Sequence, residues 1–306
     1  MRACPACGSE ERHVFDEWSP EFLQQRFLDD GSTMEFSESL HLYTCGRCSM
    51  CYIGGEYDPN TITPRDQPLD RAEFRDVFSD TSPASVGLRN AIAMSVYRLV
   101  ASKFKDIRLL DYGSTYIASY LRWATYYPRT TAVAYDVHIE SADVDGIAFR
   151  NSVDDLKALG PFAGVICNQV IEHCVDPQQE LANIYELLQP GGFAFFAVPL
   201  VDYRKLARYR AQRYTGSPAE DVFNPTHINY YSPQLFVQAL KGAGFRIVPI
   251  QLDFTAAQAP PAGLVSMVRQ IGLRLARYVG FRAMLATRRF PSAGERFING
   301  FFVTRD

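Results

Sequence analysis

From residue 105 onward, short apolar runs alternate with helical patterns, and this alternation restricts the chain more than any other feature. The candidate strands are residues 108–111, 131–136, 164–168, 193–198, 246–252 and 297–304. Between most of them lie stretches with apolar residues at helical spacing, including 177–188 and 233–243. Strands covered by helices on both faces read as near-continuous apolar runs, so the pattern predicts an α/β domain with a doubly wound, mostly parallel sheet. Residues 84–103 carry Leu88, Ala91, Ile92, Val96, Leu99 and Val100 at the spacing of an amphipathic helix leading into that domain. The expected organisation is a small module over 1–60, a linker and helix over 61–104, and the main domain over 105–306 with a helical insertion at 255–295.

The first module carries two C-x-x-C pairs, Cys4/Cys7 and Cys45/Cys48. Two pairs of thiolates supply the four soft ligands of a tetrahedral zinc site, and Gly8 and Gly46 are placed to make the knuckle turns. Four protein ligands leave no open position, so a structural zinc ion in a ribbon-like fold is expected. A segment this small has little core of its own, and metal binding would supply the missing folding energy. Cys51 reads as a bystander, and Cys167 and Cys174 as buried thiols of the main domain.

Bulk properties narrow the class. The formal net charge of −3 gives no general affinity for nucleic acid or anionic membrane. No window reaches the run of about 20 apolar residues a membrane span needs, and the first residues, MRACPACGSE, do not read as a signal peptide. A reducing cytoplasm is the expected compartment, where seven cysteines serve as ligands or buried thiols rather than disulfides.

Two segments suit a nucleotide-type ligand. Leu109-Leu110-Asp111-Tyr112-Gly113-Ser114 runs from an apolar strand into a glycine turn, where doubly wound folds bind ligands outside the carboxyl ends of their strands. The next strand ends in Asp136, an acid placed to accept hydrogen bonds from ribose hydroxyls. A third segment, 162–199, holds a buried strand, a loop with Glu172-His173, an amphipathic helix, a Pro190-Gly191-Gly192 turn and a further strand.

That combination resembles the class I S-adenosylmethionine-dependent methyltransferases, which carry a strand, an EH loop, a helix and an LxPGG turn in this order. The likeness extends through His227-Ile-Asn-Tyr-Tyr-Ser-Pro233 and Gly242-Ala-Gly-Phe245, covering about residues 105–253 and the last ten. It implies a Rossmann-like sheet whose last strand is antiparallel, with S-adenosylmethionine as cofactor. Asp111 and Gly113 would face its methionine part, Asp136 its ribose, Ser152 and Val153 its adenine, and Cys167 and Asn168 would close over the methionyl group. Two positions depart from the family pattern. Thr115 and Ile117 stand where the glycine turn usually has its second and third glycines, and a side chain there narrows the pocket. They favour a second reading, a catalytically silent fold serving as a binding or scaffold protein.

Candidate proton acceptors are His173 at the carboxyl edge and His227 in the loop before the helix at Pro233, with Glu172 placed to orient His173. Some ubiquinone-pathway O-methyltransferases, which this loop resembles, hold a divalent cation with the same Glu-His pair and an upstream Glu. Here that position is Gln169, a weaker ligand for a hard ion, so no catalytic metal is expected. The acceptor is suggested by charge. Arg204, Lys205, Arg208, Arg210 and Arg213 face one acid, Asp202, and residues 254–294 hold six arginines and no acid. Guanidinium groups bind phosphate bidentately, which points to an anionic small molecule or glycan, such as a nucleotide- or lipid-linked sugar. Residues 263–285, with arginines interleaved among apolar positions, suit either packing on the domain or contact with a membrane surface. A zinc module ahead of such a domain resembles methyltransferases of deoxysugar and polysaccharide pathways. Neither nucleic-acid binding nor an oligomeric state is indicated.

Overall fold

A computed structural model describes residues 2–27, 38–54, 83–114, 129–144, 146–201, 203, 206, 227–248 and 300–306. The N-terminal region forms β1 (Arg12–Trp18), a short helix α1 (Pro20–Phe27), β2 (Leu40–Cys45) and β3 (Cys51–Ile53). The main domain follows as α2 (Pro83–Ala101), β4 (Ile107–Tyr112), β5 (Thr130–Tyr135), β6 (Ala142–Val144), β7 (Ile147–Arg150), α3 (Val153–Ala158), β8 (Phe162–Asn168), α4 (Pro177–Leu187), β9 (Leu188–Ala197), β10 (Asn229–Tyr230), α5 (Pro233–Gly242), β11 (Arg246–Val248) and β12 (Gly300–Thr304).

Eight strands form the central sheet in the order β11-β12-β9-β8-β4-β5-β7-β6. The core strands β9, β8, β4, β5 and β7 run parallel, and β12 inserts antiparallel between β9 and β11. This is the doubly wound order with an antiparallel last strand. Its reversal point lies at β4, flanked by β8 and β5, so the ends of these strands border the cleft where such sheets bind ligands.

Side chains alternate across the sheet as the pleat requires. Leu109, Ala134, Ile166 and Phe195 face one way, into a cluster closed by Ile92, Val96 and Val100 of α2. Leu110, Tyr112, Cys167 and Phe196 face the other, under Leu181 and Ile184 of α4 and Phe236 and Leu240 of α5. Helices α4 and α5 start alike: Asp176 and Ser232 accept the backbone N–H of Gln179 and Leu235, and a proline occupies the first turn.

Several expected boundaries shift. Strands β6 and β7 pair antiparallel at the sheet edge, two short strands not among those expected, with Val144, Ile147 and Phe149 buried in the core. The Pro190-Gly191-Gly192 segment lies inside β9 as an irregularity: Phe162 pairs Leu188 and Gly164 pairs Phe193, so β9 carries the extra residues outward. Strand β11 ends at Val248 and β12 begins at Gly300; the neighbouring residues once assigned to these strands, and the whole 255–295 insertion, lie outside the described residues.

The N-terminal region does not stand apart. Its sheet has the order β1-β2-β3-β10, so its fourth strand comes from the main domain. Asn229 pairs Tyr52 and Tyr230 pairs Cys51 across that junction. Cys4, Cys45, Met50 and Tyr52 belong to the same buried cluster as Leu110, Tyr112 and Leu181. No described helix is long and apolar enough to cross a membrane.

Candidate active site and four-cysteine centre

The turn after β4 is shaped by backbone. Gly113 has φ +79°, and a Cβ there would sit 2.3 Å from Cγ2 of Val170. Both requirements demand glycine. The amides of Gly113 and Ser114 both donate to the Tyr135 carbonyl, at 2.8 Å each, tying this turn to the end of β5. Asp111 and Asp136 flank it, both almost fully buried. The Ser114 hydroxyl donates to Asp111 Oδ2 at 2.9 Å, and Asp136 Oδ1 accepts the His138 amide at 2.9 Å. A buried carboxylate at each of two adjacent strand ends, around a turn that only glycine can make, fits the polar parts of an adenosyl-amino-acid ligand.

Ser152 and Val153 open α3. The Ser152 hydroxyl accepts the Asp155 amide at 3.1 Å and donates to Asp155 Oδ2 at 2.7 Å, so its side chain serves as a helix cap. Val153, at the first helical position, has an amide with no intrahelical acceptor. Cys167 is fully buried in the core, and burial pushes its thiol well up, so it presents no thiolate. Asn168 ends β8 at the carboxyl edge, and Gln169 follows in the left-handed region at φ +59°. Thr115 and Ile117 lie outside the described residues.

From Gln169 the chain turns so that the Val170 side chain lies against Gly113, and a single 3-10 turn, Ile171–His173, follows and carries Glu172 and His173. Glu172 is wholly buried, neither carboxyl oxygen has a hydrogen-bond partner among the described residues, and burial pushes its pKa up to about 8. His173 Nε2 lies 3.9 Å from Glu172 Oε1, with the imidazole nearly one-third exposed. The His227 ring meets His173 edge-on at 4.8 Å between centroids. Burial, then the neighbouring His173, pushes His227 down to about 3. His227 therefore stays neutral at physiological pH and is a weak base; of the two histidines, the exposed His173 is the better placed to meet an acceptor. The ligand atoms of all three lie within 4.8 Å of one another, a set able to hold a divalent cation. Sequence reasoning named these residues without pairing the histidines, because 227 reaches 173 only through β10.

The four cysteines also converge. Cys4 Sγ lies 3.6 Å from Cys48 Sγ, and Cys7 Sγ lies 3.6 Å from Cys45 Sγ. Zinc–sulfur bonds near 2.3 Å at tetrahedral angles put sulfurs about 3.8 Å apart, so set and size both fit zinc. They are far too distant for disulfides. The Cys48 hydrogen bond pulls Cys4 down to about 5, while the same hydrogen bond, and then burial, push Cys48 up. A cation would relieve the conflict. The first knuckle turns at Gly8 as expected, with φ +68°. The second turns at Ser49, φ +62°, not at Gly46. Gly46 instead lets Glu11 approach, whose side chain would lie 2.7 Å from a Cβ. Cys51 is buried beside Thr44 and takes no part in the cluster.

Arg204, Lys205, Arg208, Arg210, Arg213 and the arginines of 254–294 lie outside the described residues, as does the 263–285 segment.

Comparison with known proteins agrees with the fold. A family model described as a methyltransferase domain matches residues 87–250. The ubiquinone biosynthesis O-methyltransferase of Albidiferax ferrireducens is 25% identical over 174 residues, 55% of this chain and 57% of that protein. The chain thus spans little more than half the length of the curated relative it matches. Among solved structures, the plantazolicin methyltransferase BpumL with SAH is 11% identical at a TM-score of 0.44, over 77% of this chain and 95% of that one. PKMT2 from Rickettsia typhi with AdoHcy is 11% identical at a TM-score of 0.42, over 71% and 53%. Likenesses of that extent say nothing of what this chain binds.

Proposed function

The chain belongs to the methyltransferase-domain family, and from that membership we propose that it transfers a methyl group from S-adenosylmethionine to an oxygen or carbon nucleophile on an anionic small molecule or glycan, with a structural zinc ion in its four-cysteine centre. The observation that supports this reading is the pair of buried carboxyl groups, Asp111 and Asp136, around the Gly113 turn, with Val170, two residues before Glu172, packed against that glycine.

Asp111, Gly113 and Asp136 would hold the cofactor, with the first amides of α3 toward its adenine. Bound there, S-adenosylmethionine supplies an electrophilic methyl on a sulfonium, open to in-line displacement. The chain's own residues align the acceptor and take its proton. His173 would receive the proton on its imidazole, and Glu172 Oε1, 3.9 Å from Nε2, is the group that the resulting imidazolium would face. With its pKa pushed up to about 8 by burial, Glu172 is mostly uncharged at neutral pH until a positive charge forms beside it. Neutral His227 orients the His173 ring. The arginine-rich stretches 204–213 and 254–294 support an acceptor bearing phosphate. Cys4, Cys7, Cys45 and Cys48 would hold zinc and fix the N-terminal fold.

A second reading is favoured by the same three side chains: Glu172, His173 and His227 as ligands of a catalytic cation. Metal analysis separates the two, with one equivalent of zinc expected under the first and two metal equivalents under the second.

The test is release of S-adenosylhomocysteine across paired acceptors, nucleotide-linked sugars against the corresponding neutral sugars. At least a tenfold lower KM is expected for the anionic member of each pair. Equal turnover of neutral partners, or no turnover of any anionic hydroxyl compound by protein that binds the cofactor, sets this acceptor class aside.

A further inference from the structure

We propose that Arg2 and Asn229 are positioning residues that key the four-cysteine module onto the loop carrying Glu172 and His173, so that the module sets the geometry of the proton-accepting edge. The inference rests on the assignment of Glu172 and His173 made above.

Asn229 is 1% exposed and uses its whole amide. Its Nδ2 donates to the carbonyls of Cys174 at 2.7 Å and Ile171 at 3.0 Å, with a longer contact to Glu172 at 3.4 Å. These three carbonyls belong to the turn that presents Glu172 and His173. Its Oδ1 accepts from Arg2 Nη2 at 2.6 Å. Arg2 stands two residues before the first zinc-type ligand, Cys4, and also reaches the carbonyls of Ile53 in β3 and Cys174 in the loop, at 3.5 Å each. The Arg2 carbonyl accepts from Arg12 of β1 at 3.1 Å.

Two backbone links run in parallel. The Ile228 amide donates to the Glu172 carbonyl at 2.8 Å, and the Ile53 amide donates to the Ile228 carbonyl at 3.0 Å. Gln178, in the first turn of α4, donates to the Pro5 carbonyl at 2.8 Å inside the first knuckle. The loop's own bonds are few: the His173 amide to Val170 at 2.9 Å, the Cys174 amide to Ile171 at 3.4 Å and the Cys174 thiol to the Val170 carbonyl at 3.2 Å, with the Gln169 amide held by Ala197 at 2.9 Å. A single 3-10 turn does not hold itself. Its position is fixed from outside by Ile228 and Asn229, which β3 and Arg2 of the module hold in turn. Among the described residues Glu172 has no hydrogen bond to locate its carboxyl group, so the backbone around it must do so.

The experiment compares the wild-type chain, zinc-loaded, with Asn229→Ala and Arg2→Gln. Arg2→Gln leaves the buried amide in place and so guards against misfolding of the first variant. Zinc content, hydrogen exchange by mass spectrometry, and steady-state kinetics are read on each. Both variants should keep full zinc and unchanged S-adenosylmethionine affinity, exchange amides 171–175 at least tenfold faster with the knuckle amides still protected, and lose roughly 10- to 100-fold in kcat with little change in acceptor KM. Unchanged exchange at 171–175, or acceleration spread over the whole chain, overturns the proposal. Faster local exchange with kcat intact upholds the tether and instead removes the catalytic assignment of Glu172 and His173. The two failures are thus distinguishable.

Discussion

If the four-cysteine centre holds zinc as proposed, stripping it with a strong chelator is expected to lower the melting temperature by about 6–16 °C and to melt both regions together. The reason lies in the shared core. Cys4 and Cys45 are buried with Leu110, Tyr112 and Leu181 of the main domain, and β3 pairs with β10. Without an ion, four coupled thiols stand at 3.6 Å spacing in that core. Structural zinc contributes about 10–16 kcal/mol in isolated finger peptides. If only a third of the lower figure is realised here, the loss is about 3–4 kcal/mol, and each kcal/mol is worth about 2–4 °C in a domain of this size. Calorimetric melts before and after verified metal removal check it. A shift under 2 °C, or a separate low-temperature transition leaving the main one in place, would contradict a shared core braced by zinc.

Replacing Glu172 by glutamine should cost activity while raising stability in mildly alkaline solution. The folded-state pKa of about 8 lies above the ordinary 4.5 of the unfolded chain. Its stabilising share is therefore fully present below pH 4.5 and is lost as pH rises through 8. Within that window the penalty grows by about 1.4 kcal/mol for each pH unit. Glutamine carries no charge to desolvate, so the variant should melt above wild type at pH 8.5 and the gap should shrink toward pH 5. Its kcat should fall by about 10²- to 10⁴-fold, the usual contribution of a positioned acid–base group, with cofactor affinity intact. Melts at the two pH values, alongside kcat, separate this outcome from simple damage. A variant that melts lower than wild type at both pH values would sink the buried-acid reading of Glu172.

The parallel strands β4, β5, β8 and β9 were legible as largely apolar runs: β8 reads FAGVIC, and six of its seven residues are buried. Helices α4 and α5 were legible from Asp176-Pro177 and Ser232-Pro233, caps followed by prolines that can only begin a helix. Strands β6 and β7 were not, since runs of three and four residues are too short to show a strand period. Strand β10 has two residues and no periodicity to detect; its partner β3 lies far away in the chain, and nothing local records the pairing. For the same reason the sequence places His173 and His227 at the right edge but does not bring them together. Gly46 misled because a glycine in a knuckle suggests a turn, whereas here it makes room for Glu11, and Ser49 takes the left-handed position. Arg2 carried no sequence signal at all. Its role comes from a buried asparagine that only tertiary structure delivers to it.

The most direct measurement is a calorimetric titration of the zinc-replete protein with S-adenosylmethionine and, separately, S-adenosylhomocysteine, repeated for Asp136→Ala. Saturable micromolar binding of both is expected, weakened about 10- to 100-fold in the variant, as loss of a charged hydrogen-bond acceptor worth about 1.5–3 kcal/mol requires. No heat of binding up to millimolar cofactor, from protein whose circular dichroism and melt are those of the folded state, would contradict the enzyme reading. The chain would then be a methyltransferase fold that has kept its sheet and its cysteine centre for binding a partner.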